Sequence, residues 1–337
     1  MAATPCAEFT LGDVPLLRGG VLNDARLAYV THGTLNAAGD NCIVFPTYYT
    51  GNHDSNARLI GPGRALDPAR WFIVVPNLFG NGLSSSPSRA APGQSGPDFP
   101  NITIADNVSC QYRLLQYLGV RRVALALGWS MGALQAYQWA IAYGDYVARL
   151  LPICGAARCA PHNRVFIEGV SAALRADQSF AGGRYTVPPR EGLKAFGRVY
   201  AGWAYSQTFF REGLYRTLGY PDIESFLLAW EEEHLVWDAN DLLAKLWTWA
   251  HADPSLEHGG DFAAAMARIS AQTIVMPGTQ DLYFTLDDNR QEAALVSGAE
   301  LRPLESPYGH CAGAPSRFPR ETTFIEEAVR DLLARPA

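Results

Sequence analysis

Three side chains far apart in the chain, Ser130, Asp281 and His310, could together make an alcohol reactive. Ser130 lies in Gly128-Trp129-Ser130-Met131-Gly132, a G-x-S-x-G. Alone the pattern is weak. Here the apolar run Val123 to Leu127 precedes it, and the Ala-, Leu- and Gln-rich segment Met131 to Tyr143 follows. That order predicts a strand, a sharp turn and a helix, the setting of a nucleophile elbow. Glycines are needed where the turn brings backbones together, and the serine hydroxyl then stands above the sheet at a helix N-terminus. The bland alternative is an ordinary strand-to-helix turn with an inert serine. What separates the two is whether an acid and a base follow in suitable places.

A serine hydroxyl is a poor nucleophile until a base takes its proton. In this arrangement the partners follow in the order Ser, Asp or Glu, His. Asp281 ends the turn Pro277-Gly278-Thr279-Gln280-Asp281, just after the expected strand Thr273 to Met276. His310 ends Ser306-Pro307-Tyr308-Gly309-His310, after the expected strand Glu300 to Leu304 and before the last helix. Both positions are loops at carboxyl ends of strands, where open α/β sheets build their sites. His310 would accept the Ser130 proton and return it to the leaving group, while Asp281 would orient the ring. Asp287 and Asp288 are rival acids, but they fall inside a helical pattern. His32, His53, His162, His234, His251 and His258 read as surface or packing residues. A tetrahedral intermediate also needs two backbone donors. One is the Met131 N–H, directly after the nucleophile. The other comes from the loop Thr47 to Gly51, where Tyr49 is the candidate by position.

The elements that must position these groups follow from hydrophobic patterning. Phe9 to Thr34 alternates in short runs split by Gly19-Gly20 and Asn23-Asp24, which predicts an antiparallel meander at a sheet edge. Cys42 to Phe45, Trp71 to Val75, Val123 to Leu127 and Val147 to Ile153 are short and fully apolar, as strands buried on both faces of a parallel sheet should be. Ile104 to Leu118 carries helical spacing, with Thr103 as N-cap and Gly119 as stop. Strand and helix thus alternate up to Cys154, the signature of an α/β fold. From Ala156 to Ile269 helical segments replace strands: Glu191 to Ser206, Phe209 to Leu218, Ile223 to Glu233 and Asn240 to Ala250, rich in Trp, Tyr and Phe. Alternation then resumes, with a helix near Leu286 to Val296 and a last one from Thr322 to Leu333. The expected organisation is one α/β core in two parts, 1–155 and 269–337, interrupted by a helical insertion at 156–268.

Composition narrows the partners. With 337 residues, 48% hydrophobic and 18% charged, the chain can bury a large core. Its net charge of −6 and the absence of basic clusters argue against nucleic acid or an anionic membrane surface. No run approaches the roughly 18 apolar residues of a membrane span, and Met1 to Thr10 has no secretory pattern. Six scattered cysteines without a C-x-x-C fit the reducing cytoplasm. Gly80-Asn81-Gly82-Leu83-Ser84-Ser85-Ser86 lacks the third glycine or the G-K-[ST] ending of a phosphate loop and reads as a plain loop near the site. His251, Asp253 and His258 lack a third strong ligand at defensible spacing, so no metal is expected.

With those residues in hand, the chain resembles the homoserine O-acetyltransferase family of α/β hydrolases over nearly its whole length. Tyr49-Thr50-Gly51 is similar to the family's Leu-Thr-Gly oxyanion loop. Gly128 to Ala136 is similar to its G-G-S-M-G-G-M-Q-A elbow. Glu224-Ser225-Phe226-Leu227, Asp238-Ala239-Asn240, Asp281-Leu282-Tyr283-Phe284 and Gly309-His310 resemble its E-S-Y-L, D-A-N, D-W-L-F and G-H segments. The resemblance implies an α/β-hydrolase fold, a mostly parallel central sheet flanked by helices with a helical lid. It also implies an acyl-enzyme, ping-pong mechanism, homodimers through the lid and no cofactor beyond the acyl donor. Two departures bear on substrate. The family's aspartate after the catalytic histidine, which holds a substrate amino group, is Cys311 here. The lid arginine that holds a carboxylate falls at Gly197, and Arg198 could replace it only with a shift of register. A pocket built from Tyr48, Tyr49, Trp129, Cys311 and lid aromatics suits a small neutral ester. The expectation is therefore the esterase branch, acting on acetyl-type esters, with acetyl transfer from acetyl-CoA to homoserine, serine or another hydroxyl as the alternative.

Overall fold

The computed structural model of the protein describes residues 5–336. At one edge, β1 (Ala7–Pro15) and β2 (Val21–His32) alternate buried and exposed residues, because only one face of this hairpin meets the core. The next four strands are β3 (Cys42–Val44), β4 (Phe72–Pro76), β5 (Val123–Trp129) and β6 (Arg149–Ile153), and every residue in them is buried. β7 (Gln272–Val275) and β8 (Glu300–Leu301) complete an eight-stranded sheet ordered β1-β2-β4-β3-β5-β6-β7-β8. The β1–β2 and β2–β4 pairs are antiparallel, and all the others are parallel. The edge meander and the buried parallel centre match the expectation. β8 is shorter than the expected Glu300 to Leu304, with only an isolated bridge from Leu304 to Gly278 beyond it. Backbone bonds to β7 nevertheless continue past Leu301, since the Arg302 and Leu304 N–H groups donate to the Val275 and Pro277 carbonyls at 2.9 and 2.8 Å, and Pro303 sits between them with its donor-less nitrogen on the free edge.

The helices of the first half are α1 (His53–Ala57), α2 (Ile104–Tyr117) and α3 (Met131–Ala142). Thr103 caps α2 in a reciprocal box with Asp106, and Gly119 at φ +83° lies just past its end. Asp106 also accepts from the Leu17 N–H at 2.8 Å, tying the edge hairpin to the helix. Between the neighbouring strands β6 and β7 come six helices: α4 (Pro161–Arg175), α5 (Arg190–Ala204), α6 (Gln207–Arg211), α7 (Ile223–His234), α8 (Ala239–Ala250) and α9 (Phe262–Met266). α10 (Leu286–Ala293) and α11 (Pro319–Ala334) follow. α4 is not among the helices expected from sequence. Its signal was present, since Pro161 opens it and Phe166, Ile167, Val170 and Leu174 make a buried stripe. Among the described residues no helix is long and apolar enough to cross a membrane, and all six cysteines are free thiols.

The centre of the fold is the crossing of β5 and α3. A Cβ on Gly128 would lie 2.2 Å from the carbonyl of Gly132, and one on Gly132 would lie 2.8 Å from the Pro46 oxygen. The two glycines let strand, helix and the loop after β3 meet at one point. Gly128→Ala is therefore expected to lose at least about 3 kcal/mol through overpacking. Gly169→Ala in α4, with no atom within 4 Å of the added methyl, should instead gain about 0.5–1 kcal/mol. Urea unfolding of both variants checks the contrast. Equal stability changes would show that the crossing is not tight.

Candidate active site

The sharp turn after β5 forces Ser130 into φ 58°, ψ −125°. A side-chain-bearing residue there costs on the order of 1–3 kcal/mol, a strain that concentrates at functional sites. Neighbouring structure holds the turn: the Ser130 N–H donates to the Ile153 carbonyl at 3.1 Å, and the Ala133 N–H donates to the Ser130 carbonyl at 2.8 Å. The hydroxyl group belongs to a residue only 4% exposed, at the N-terminus of α3.

His310 lies in the turn before α11 and meets Ser130 across the sheet rim, with Ser130 Oγ 2.9 Å from His310 Nε2. On the other side of the ring, Nδ1 lies 2.7 Å from Asp281 Oδ2. A carboxylate can only accept, so Nδ1 carries the proton and Nε2 presents a lone pair to the serine hydroxyl. Asp281 is fixed in turn: its Oδ1 accepts from the N–H groups of Tyr283 at 2.8 Å and Phe284 at 3.1 Å. The imidazole is packed on three sides. Trp129 stacks with a 5.0 Å centroid separation, Tyr283 meets it edge-on at 4.9 Å, and Phe284 lies at 5.6 Å. The Trp129 Nε1–H also donates to the His310 carbonyl at 3.2 Å. The rival acids are occupied elsewhere, Asp287 with Arg290 and Asp288 in capping α10 through Thr285.

Two amides can serve a developing oxyanion. Neither the Met131 nor the Tyr49 N–H has a hydrogen-bond partner among the described residues. The carbonyl of the Tyr48–Tyr49 peptide accepts from the Gly51 N–H at 3.2 Å. In a trans peptide the Tyr49 N–H then points the opposite way. Gln135 ties the loop to α3, because its Nε2 donates to both the Thr47 carbonyl at 2.9 Å and the Met131 carbonyl at 3.1 Å. The arrangement can move a proton from an alcohol to an imidazole beside a pair of fixed N–H donors.

Ser130 and His310 open on a cavity of about 180 Å³. Tyr48, Tyr49, Trp129 and Cys311 line it, joined by Tyr200 of α5 and Trp230 and His234 of α7. Burial pushes the Cys311 thiol up to about 11, so it carries no charge at neutral pH. Arg198 lies outside the cavity, contrary to the expectation from sequence. Its guanidinium pairs with Glu224 and Glu231 on α7, and it is not among the cavity's lining residues. The reason is local: a Cβ at Gly197 would lie 2.6 Å from the Trp230 carbonyl. α5 therefore packs its glycine on α7 and turns Arg198 to the outer face. His234 is a residue whose packing role the sequence understated. It is 1% exposed, its Nδ1 donates to the Trp230 carbonyl at 2.7 Å, and burial holds its pKa down. Charge appears only at the exposed rim, on Arg58, Glu233 and Arg317.

This strand order, elbow and side-chain constellation define a class, and the chain belongs to it: the α/β hydrolase fold family matches residues 43–313. Within that family it is similar to small-ester hydrolases and, more distantly, to homoserine O-acyltransferases. The ethyl acetate hydrolase of Pseudomonas veronii is 39% identical, spanning 99% of this chain and 97% of that protein. The solved structure of an acetylester hydrolase from Corynebacterium glutamicum superposes with a TM-score of 0.95 at 37% identity, covering 98% of this chain and 96% of that one. The homoserine O-acetyltransferase of Symbiobacterium thermophilum is 33% identical over 94% of this chain and 90% of its own length.

Replacing Asp281 by Asn would leave the ring in place but favour the wrong tautomer. The rate at which a fluorophosphonate labels Ser130 should fall by about 10⁴, with the melting midpoint little changed. Labelling at the wild-type rate would remove Asp281 from the site.

Proposed function

We propose that the protein is a serine carboxylic ester hydrolase of small, acetyl-type esters. The observation that carries this is the contact series Asp281–His310–Ser130 opening on a small cavity whose buried walls are aromatic or uncharged. In this reaction Ser130 Oγ bonds to the acyl carbon as its proton passes to His310 Nε2. The carbonyl π electrons move onto oxygen, which the Tyr49 and Met131 N–H groups hold. The tetrahedral adduct collapses, the alcohol leaves with the proton from His310, and an acetyl ester remains on Ser130. Water then attacks, giving its proton to His310. Collapse releases the acid, and the proton returns to Ser130.

Hydrolysis is favoured over transfer to an amino acid by two features. Cys311, uncharged, offers no counter-ion to an ammonium group, and Gly197 leaves no lid arginine facing a carboxylate. The cavity is also below the roughly 300–1,000 Å³ of pockets for drug-sized ligands, which suits an ethyl or similarly short ester. The charged rim of Arg58, Glu233 and Arg317 is what speaks for the second reading, acetyl transfer from acetyl-CoA to a hydroxyl acceptor. Ethyl acetate and p-nitrophenyl acetate should be hydrolysed, with turnover abolished in Ser130→Ala. Acetyl-CoA with homoserine or serine should release little thiol. Fast thiol release with slow ester loss would reverse the assignment.

The same reading places the protein in the cytoplasm, in keeping with six free thiols, and pairs it as a homodimer through the 156–268 helices. Val187, Ile223, Leu228, Val236 and Leu256, all in that segment, are exposed large apolar side chains. Light scattering after size exclusion should give twice the chain mass, and Val236→Glu with Leu228→Glu should give the monomer. A wild-type monomer at micromolar concentration would contradict the dimer.

A further inference from the structure

A lysine with no exposure is costly unless its ammonium group is used. Lys245 of α8 is 0% exposed. Leu242, Leu246 and Trp249 share its buried helix face, a pattern that ordinarily carries only apolar residues. Among the described residues it makes no ion pair within 4.0 Å. Asp241, one turn earlier, uses its two oxygens on the N–H and hydroxyl of Ser88, at 2.9 and 2.6 Å. The ammonium group donates to the Tyr49 carbonyl at 2.8 Å. The rings of Trp237 and Tyr49 lie 4.1 and 5.1 Å from Nζ, within cation–π range. Burial pulls the lysine down to about 7 and raises Asp241 to about 6. A second bond ties Tyr49 to the same helix: its hydroxyl donates to the Leu242 carbonyl at 3.0 Å.

The Gly80-Asn81-Gly82 loop makes room for this contact. Gly80 adopts φ +85°, and a Cβ there would lie 3.0 Å from Lys245 Cγ. One on Gly82 would lie 3.5 Å from Asp241 Oδ2. This plain loop is a backbone surface against which the Lys245 stem lies.

We infer that Lys245 is a positioning residue that aims the Tyr49 N–H at the oxyanion. This rests on the reading of Tyr49 and Met131 as the oxyanion donors. Tyr49 Cα joins two peptide planes. The Gly51 N–H anchors the first through the Tyr48 carbonyl, and Lys245 anchors the second through the Tyr49 carbonyl. The Tyr49 N–H lies in the first plane, and Lys245, by holding the second, fixes the Cα on which the first plane would otherwise turn. Hydrogen-bond donation to a transition state depends on such preorganisation, and loss of one oxyanion donor costs about 10²–10³ in rate. Helix α8 thereby links the helices between β6 and β7 to the chemistry over the sheet.

The test is Lys245→Met, which keeps the apolar stem and removes the donor. With p-nitrophenyl acetate, kcat should fall by about 10–100-fold, part of the full loss of a donor, while KM stays within a factor of about two. Affinity for an aryl trifluoromethyl ketone, which forms a tetrahedral adduct with the serine, should fall by the same factor as kcat. The melting midpoint should not fall in proportion, because a buried charge is removed with the bond. A folded variant with wild-type kcat and ketone affinity would overturn the inference. If Lys245→Met does not fold, Lys245→Gln carries the same two readouts, since its side chain is too short to reach the Tyr49 carbonyl. An inactive wild-type protein would instead count against the ester hydrolase reading itself.

Discussion

Everything at this site depends on one imidazole held at both of its nitrogens. His310 spans 2.7 Å to Asp281 and 2.9 Å to Ser130, although those partners lie 29 and 180 residues away in the chain. Neither contact can form unless β5, β7 and the turn before α11 end at the same rim of the sheet. The parallel order of β5, β6, β7 and β8 meets that requirement, because parallel strands deliver their carboxyl ends to one edge. The aromatic walls then do for the ring what hydrogen bonds alone cannot. Trp129, Tyr283 and Phe284 restrict its rotation and exclude water from its surroundings.

Much of this is legible in the sequence because the determinants are local. The central strands are short runs of apolar residues between turn formers, and α2 carries its cap and its stop in plain view at Thr103 and Gly119. The elbow is readable for the same reason, as the strain at Ser130 is imposed by a strand and a helix adjacent to it in sequence. Asp281 and His310 stand out because each follows a strand at the point where a loop should rise over the sheet.

What sequence hid was set by tertiary contact. Arg198 could serve the pocket only with a shift of register, and helix rotation, decided by the closest approach of Gly197 to the Trp230 carbonyl, gives no such shift. Lys245 left a trace in the sequence, a lysine set among Leu242, Leu246 and Trp249 on a buried face of α8, but its partner is a backbone carbonyl 196 residues away. No pattern of side chains encodes such a partner. The same holds for the amide of Tyr49, whose direction depends on peptide planes rather than on residue type.

Sequence position thus supplies the reactive groups, and packing between distant segments supplies their aim. The measurement that bears most directly on this account is a crystal structure of the protein inhibited by a fluorophosphonate. The phosphorus should be bonded to Ser130 Oγ, with one phosphonyl oxygen about 2.7–3.1 Å from both the Tyr49 and Met131 nitrogens and His310 within reach of the leaving-group side. Phosphonylation of another residue, or an adduct oxygen turned away from both amides, would contradict it.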